Sequence, residues 1–202
     1  MFGELSCPKY ETSTILAECT LKSGTTFPQE AELTSGDIMY IKVSDMNLPG
    51  NEVYIKSSSK YVSVQTAGKT IIPKGAVIFP KRGAAIGTNK KRIITTDTCI
   101  DLNTMAVIPG KRITTKYLYG FFFGLDLMSL ADGSTIPQLN NRQVGPIEIV
   151  VPPINEQMMF ASIFEQSDKS KLKLQNLLTE ISVLKNKTIE KHNIRRSRYG
   201  NF

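Results

Sequence analysis

The chain has 202 residues, 41% of them apolar and 21% charged, with a net charge of +7. That length and balance suit one folded core plus an appended element, and exclude both a disordered chain and a multidomain machine. No run approaches the ~18 consecutive apolar residues of a membrane span, and Glu4, Glu11, Glu18 and Glu30 interrupt the first thirty residues, so no secretory signal is expected there.

Residues 14–112 predict short strands separated by turns. Ile38 to Ser44 is apolar and β-branched, preceded by Gly36-Asp37 and ended by Asp45 and Asn47-Leu48-Pro49-Gly50. Tyr61 to Val64, Thr70 to Ile72 and Ala76 to Phe79 follow, punctuated by Gly68 and Pro73-Lys74-Gly75. Ile93 to Thr96 and Met105 to Ile108 continue the pattern as far as Pro109-Gly110. Such spacing favours a mixed, partly curled β-domain over a βαβ layout. Leu118, Phe121, Phe122, Leu125 and Met128 then fall at helical spacing, predicting a core-packing helix closed by Gly133. Ile147 to Val151 predicts one more strand, ended by Pro152-Pro153.

From Asn155 no Pro or Gly occurs until Gly200. Pro153 and Glu156 suit a helix start, since proline needs no amide partner there and a carboxylate favours the positive end of the dipole. Ser167-Asp168 offers a second N-cap for a longer helix to about His192. Its Leu174, Leu177, Ile181 and Leu184 form an a/d seam two heptads long. About 24 residues would span ~36 Å, roughly one turn of B-DNA. The predicted fold class is therefore α+β, with a domain over residues 1–153, a helical spacer or dimerisation region over 154–192, and a basic tail over 193–202.

The charge is uneven. Residues 1–168 hold 16 Lys and Arg against 16 Asp and Glu, whereas 169–202 hold nine basic side chains against Glu180 and Glu190. Within the balanced part, residues 69–92 carry Lys69, Lys74, Lys81, Arg82, Lys90, Lys91 and Arg92 with no acid. A neutral body with one acid-free basic segment points to a localised polyanion footprint.

Groups for catalysis are missing from the sequence. The single His192 gives a Ser/His/Asp or Cys/His arrangement no centre. Gly68-Lys69-Thr70 ends like a P-loop, but Ser63 stands where its first glycine belongs. None of the 18 acids has a lysine two residues on, as a D/E-x-K nuclease needs, and Pro152-Pro153 lies between Val151 and Ile154 rather than in an N/D-P-P-Y/F methyltransferase motif. Cys7, Cys19 and Cys99 are odd in number and never in a C-x-x-C pair, so neither a disulfide framework nor a metal site is expected. The expectation is a non-catalytic chain with no cofactor, in a reducing cytoplasm.

The run from Phe79 to Arg92 carries the chemistry. Its glycines let the backbone approach a ligand or take positive φ, and its cations can reach phosphate oxygens. A glycine-bearing turn with a solvated charge run is the alternative for the same residues. Thr88 and Asn89 are of types that reach base edges, Asn suiting adenine, although Asn89 fits a plain turn equally well.

Three runs, Ser23-Gly24-Thr25-Thr26-Phe27-Pro28, Gly36 to Asp45 and Ile72 to Gly83, come first in a longer order. Gly133-Ser134 with Pro137-Gln138-Leu139 follows, and then Ile149 to Gln157 leading into the helices. This order resembles a target recognition domain of type I restriction–modification specificity subunits, over about residues 14–192. The resemblance implies double-stranded DNA binding. In that family a specificity subunit carries two recognition domains separated by helices. Modification subunits supply S-adenosylmethionine-dependent adenine methylation, and restriction subunits supply cleavage. One domain and one helical region imply a half-subunit that pairs as a homodimer through Leu174, Leu177, Ile181 and Leu184, or docks by them onto a modification subunit. By resemblance and charge, Lys81 and Arg82 are the first candidates for DNA contact. Lys90, Lys91 and Arg92 come next, with Thr88 and Asn89 as base readers and Lys42 and Arg142 behind. Pro152, Pro153, Glu156 and Gln157 are expected to be structural. The rival readings are a dimeric DNA-binding regulator, a truncated subunit competing for modification subunits, and an enzyme using Gly83 to Gly87 as a phosphate cradle.

Overall fold

The computed structural model describes residues 9–167. In chain order these form β1 (Glu11–Thr14), α1 (Ile15–Glu18), β2 (Cys19–Ser23), β3 (Ile38–Ile41), β4 (Tyr54–Ile55), β5 (Tyr61–Val62) and α2 (Val64–Ala67). There follow β6 (Val77–Pro80), β7 (Arg92–Ile94), β8 (Thr98–Ile100), β9 (Thr104–Pro109), α3 (Thr115–Phe123), α4 (Asn141–Val144) and β10 (Glu148–Val151). Residues 154–167 are helical. The chain divides into two compact units, 1–159 and 160–202. The fold class is mixed α and β, as expected. The seam Leu174, Leu177, Ile181 and Leu184 and the basic tail lie outside the described residues.

Three sheets make the first unit. The largest has the order β2-β9-β6-β7-β4, antiparallel except where β4 runs parallel to β7. A second has the order β5-β3-β8, with β3 antiparallel to β5 and parallel to β8. The third pairs β1 with β10 in antiparallel register, Glu11 opposite Val151 and Thr14 opposite Glu148.

The central strand β6 is buried on both faces because each carries a different core. Ile78 packs with Ile41, Met46, Ile55, Ile72, Ile94 and Ile100. Its neighbour Phe79, pointing the other way by strand alternation, places its ring 5.3 Å from that of Phe122 on α3. Both phenylalanines are fully buried, each contributing about 1.5–3 kcal/mol. Phe27, Tyr40, Val62, Ala67 and Cys99 form a separate cluster under the small sheet.

Several elements differ from expectation for local reasons. The strand expected to Ser44 ends at Ile41, because the buried Asp45 accepts the Lys42 amide at 2.8 Å and turns Val43–Asn47 into a 3-10 helix. Thr70 to Ile72 makes only a single bridge, Ile72 to Thr98. Gly68 at φ 45 and Pro73, which lacks an amide donor, prevent a longer ladder. Helix α3 stops at Phe123 rather than running to Gly133, with the Gly124 amide reaching back to the Gly120 and Phe121 carbonyls. Leu127 is therefore buried while Met128 is exposed.

The structural role expected of Gln157 is met. It is wholly buried, its carbonyl accepts the Thr114 amide at 2.8 Å, and its amide donates to the Arg112 and Pro152 carbonyls at 2.8 and 2.9 Å. The first turn after Pro153 is thereby fixed to the loop before α3.

Candidate nucleic-acid interface

Beyond Pro80 the β6 backbone continues between two loops. The Lys81 amide donates to the Asn103 carbonyl at 2.8 Å, and the Lys81 carbonyl accepts the Leu139 amide at 2.8 Å. Arg82 bridges Gln138, and the Gly83 amide donates to the Pro137 carbonyl at 2.8 Å. Gly83 lies at φ 66, a left-handed position that a β-carbon disfavours. There the chain turns into a 3-10 segment, Gly83–Thr88. Buried Ile86 anchors that segment from beneath, and the Thr88 hydroxyl donates to the Ala85 carbonyl at 2.7 Å.

Asn89 ends the turn at φ 53, a conformation asparagine tolerates better than most residues. Its side-chain oxygen accepts the Leu127 amide at 2.9 Å and the Lys91 ammonium at 2.7 Å. The Lys91 ammonium also donates to the Leu125 carbonyl at 2.6 Å. Asn89 and Lys91 thus brace the turn against the 125–127 segment. The expectation that Lys91 offers its charge outward is not met: the side chain is buried and its donors engage the protein. Arg92 is similarly turned back, donating to the Lys91 and Met46 carbonyls at 2.8 and 2.9 Å. Lys90 donates to the Asn47 side chain.

Burial pushes the Lys91 ammonium down to about 8, with Asp126 opposing the shift. The folded value therefore lies below the ordinary 10.5, and folding releases a proton between them. Stability owed to Lys91 rises with pH through that window, by at most about 1.4 kcal/mol per pH unit. In thermal melts, wild type should gain on Lys91→Met as pH goes from about 8 to about 10. A constant difference would show an ammonium still in water.

The cations at the hinge are Lys81, which is half-buried, and Arg82, and Lys69 and Lys74 of the same basic run are exposed as well. The Lys81 ammonium donates to Ser23 Oγ at 3.0 Å, and burial, then the neighbouring Arg82, hold its value below the ordinary one. Arg82 is exposed, and no side-chain partner for its guanidinium is found among the described residues. Of the remaining candidates, Lys42 is ion-paired with Glu32 at 2.7 Å and lies over the Tyr40 ring. Arg142 is exposed in α4.

Two parts of this surface hold no residue expected to contact DNA. Loop 132–138 lies beside the Arg82–Gly83 hinge, and Met128 reaches within 3.2 Å of where a β-carbon on Gly87 would stand. Neither carries a basic charge, so charge does not mark them. The sequence marks the loop by Asp132-Gly133-Ser134, typical of a tight loop, and by Gly133-Ser134 with Pro137-Gln138-Leu139 in the family-like order.

Fold and surface together define an α+β domain with a braced, glycine-jointed cationic loop. The family model described as type I restriction modification DNA specificity domain matches residues 9–186, and the chain belongs to that family. The fold is similar to a chain in a structure of complex assembly and conformational transition in a type I R-M system, with TM-score 0.80 and 14% identity, covering 99% of this chain and 48% of that one. It is also similar to the HsdS subunit from Thermoanaerobacter tengcongensis, with TM-score 0.69 and 14% identity over 86% of this chain and 41% of that one. The type I S subunit from M. genitalium matches with TM-score 0.57 and 15% identity, over 96% and 47%. The chain spans about half the length of these solved chains.

Proposed function

We propose that this chain is a DNA-recognition element, a specificity half-subunit that binds duplex DNA and directs the adenine methylation and restriction performed by partner subunits. The observation that carries it is the pair Lys81 and Arg82, placed by backbone bonds on both sides at a glycine hinge, within a chain of the specificity-domain family. Cations held on a fixed backbone contact phosphates in register, and the guanidinium fork suits phosphate or a guanine edge. Thr88 and Lys90 flank that contact, while Asn89, Lys91 and Arg92 hold the turn in shape. The chain itself supplies no catalysis, cofactor or metal in this reading, and works in the cytoplasm.

The domain over 1–153 would bind, and the helical region over 154–192 would set the spacing. The sequence seam at Leu174, Leu177, Ile181 and Leu184 supports pairing of two copies. A twofold dimer reads two identical inverted half-sites. Co-expression with a modification subunit, followed by genome-wide mapping of methylated adenine, should yield an interrupted palindrome. A single unpaired half-site would contradict the homodimer, and absence of new methylation would contradict the directing role.

A further inference from the structure

We infer that Ile136 is a specificity residue that takes the 5-methyl group of a thymine in the major groove. The inference rests on the duplex-binding reading above and adds a base identity to it.

Ile136 is 53% exposed, and lone exposed apolar residues are ordinary. Its mounting is what distinguishes it. One carboxylate oxygen of Asp132 accepts the Ser134 amide, the Ser134 hydroxyl and the Gln138 amide at 3.3, 2.8 and 3.0 Å. The Ser134 hydroxyl also lies 2.6 Å from the Ile136 carbonyl, and the Asp132 amide donates to the Gln138 carbonyl at 3.1 Å. Gly133 at φ 70 permits this closed loop. Its far end is joined to the cationic strand by Gly83 to Pro137 and Leu139 to Lys81.

The Asp132 charge is thereby engaged within its own loop, and the apolar tip is held beside the hinge. A β-carbon on Gly83 would meet Ile136 Cγ2 at 3.9 Å, so the side chain stands next to the residue following Arg82. A ligand held at the Arg82–Gly83 hinge lies within reach of it. In duplex DNA the apolar group offered at a groove edge is the thymine methyl. A β-branched side chain has little χ1 freedom to lose on contact. Being only half exposed and braced at the base, Ile136 suits surface contact rather than insertion between base pairs.

The test uses the full chain and random-sequence duplex pools made with thymine or with uracil, which lacks only the 5-methyl group. Wild type should enrich a site with at least one thymine position. Replacing that thymine by uracil should weaken binding about fourfold, the effect of losing one buried methyl. Ile136→Ala, whose exposed side chain leaves the core intact, should bind both versions equally and melt like wild type. Equal wild-type affinity for both versions, or an unchanged thymine preference in Ile136→Ala, would overturn the inference while leaving duplex binding in place. Retention of neither pool at low salt would remove the duplex reading, and this one with it.

Discussion

Lys81→Ala combined with Arg82→Ala should weaken duplex binding roughly 100-fold at low salt, as expected for losing two charge-assisted phosphate contacts. The slope of log affinity against log salt should fall by about two, one for each counterion no longer released. The loss should be similar for all sequences if both cations meet phosphate, and concentrated at one base position if Arg82 meets a guanine edge. Arg82 is exposed and the Lys81 ammonium bonds only a serine hydroxyl among the described residues, so the double variant should melt near wild type. Lys91→Met is the control. It lies in the same basic run, but its ammonium bonds Asn89 and Leu125, so it should alter stability and leave the salt slope unchanged. A slope that followed Lys91 rather than Lys81 and Arg82 would reverse the assignment. Anisotropy titrations at several salt concentrations read all of these.

Gly24→Ala should be among the most destabilising single changes in the domain. A β-carbon there would lie 2.0 Å from the Asp101 carbonyl oxygen and 2.4 Å from that of Ile100. The backbone cannot yield easily, because Gly24 donates to the Thr104 carbonyl at 3.1 Å and Thr25 to the Ile100 carbonyl at 3.0 Å. Asp101 in turn accepts the Thr104 hydroxyl at 2.7 Å and the Asn103 amide at 3.1 Å, and Asn103 holds the Lys81 backbone. A cost of roughly 3–5 kcal/mol is expected, lowering Tm by about 10 °C or more. Gly50→Ala is the comparison. It has positive φ but nothing within 4 Å, so only the left-handed strain of about 1–2 kcal/mol applies. Equal melting of the two variants would show that the Gly24 strand can move aside.

The legible parts of the fold were those where burial writes itself into composition. Val77 to Pro80 and Met105 to Val107 are apolar because they lie inside the main sheet. Strand β1, Glu11–Thr14, is wholly polar, with its first two residues exposed, and exists because β10 pairs with it; no local pattern marks it. Strand β8 has three buried residues, one of them Thr98, whose hydroxyl donates to the Met39 carbonyl at 2.6 Å. A threonine with a tertiary partner cannot be told from a surface one by type alone. At the site, Lys81 and Arg82 stood out by charge and glycine spacing. Lys91 did not separate from Lys90, because its burial depends on packing against the Leu125 carbonyl 34 residues away. Asn89 had both a base-reading and a turn role open, and its φ of 53 with two bonds to its side-chain oxygen favours the turn. Ile136 was invisible because its meaning comes from the strand beside it.

In the proposed role this surface grips duplex DNA through its phosphates. The most direct measurement is anisotropy of a labelled random-sequence duplex titrated with the full chain at low ionic strength, alone and with a modification subunit. Binding should weaken linearly in log affinity as log salt rises. No binding at any salt concentration, with or without the modification subunit, would contradict it.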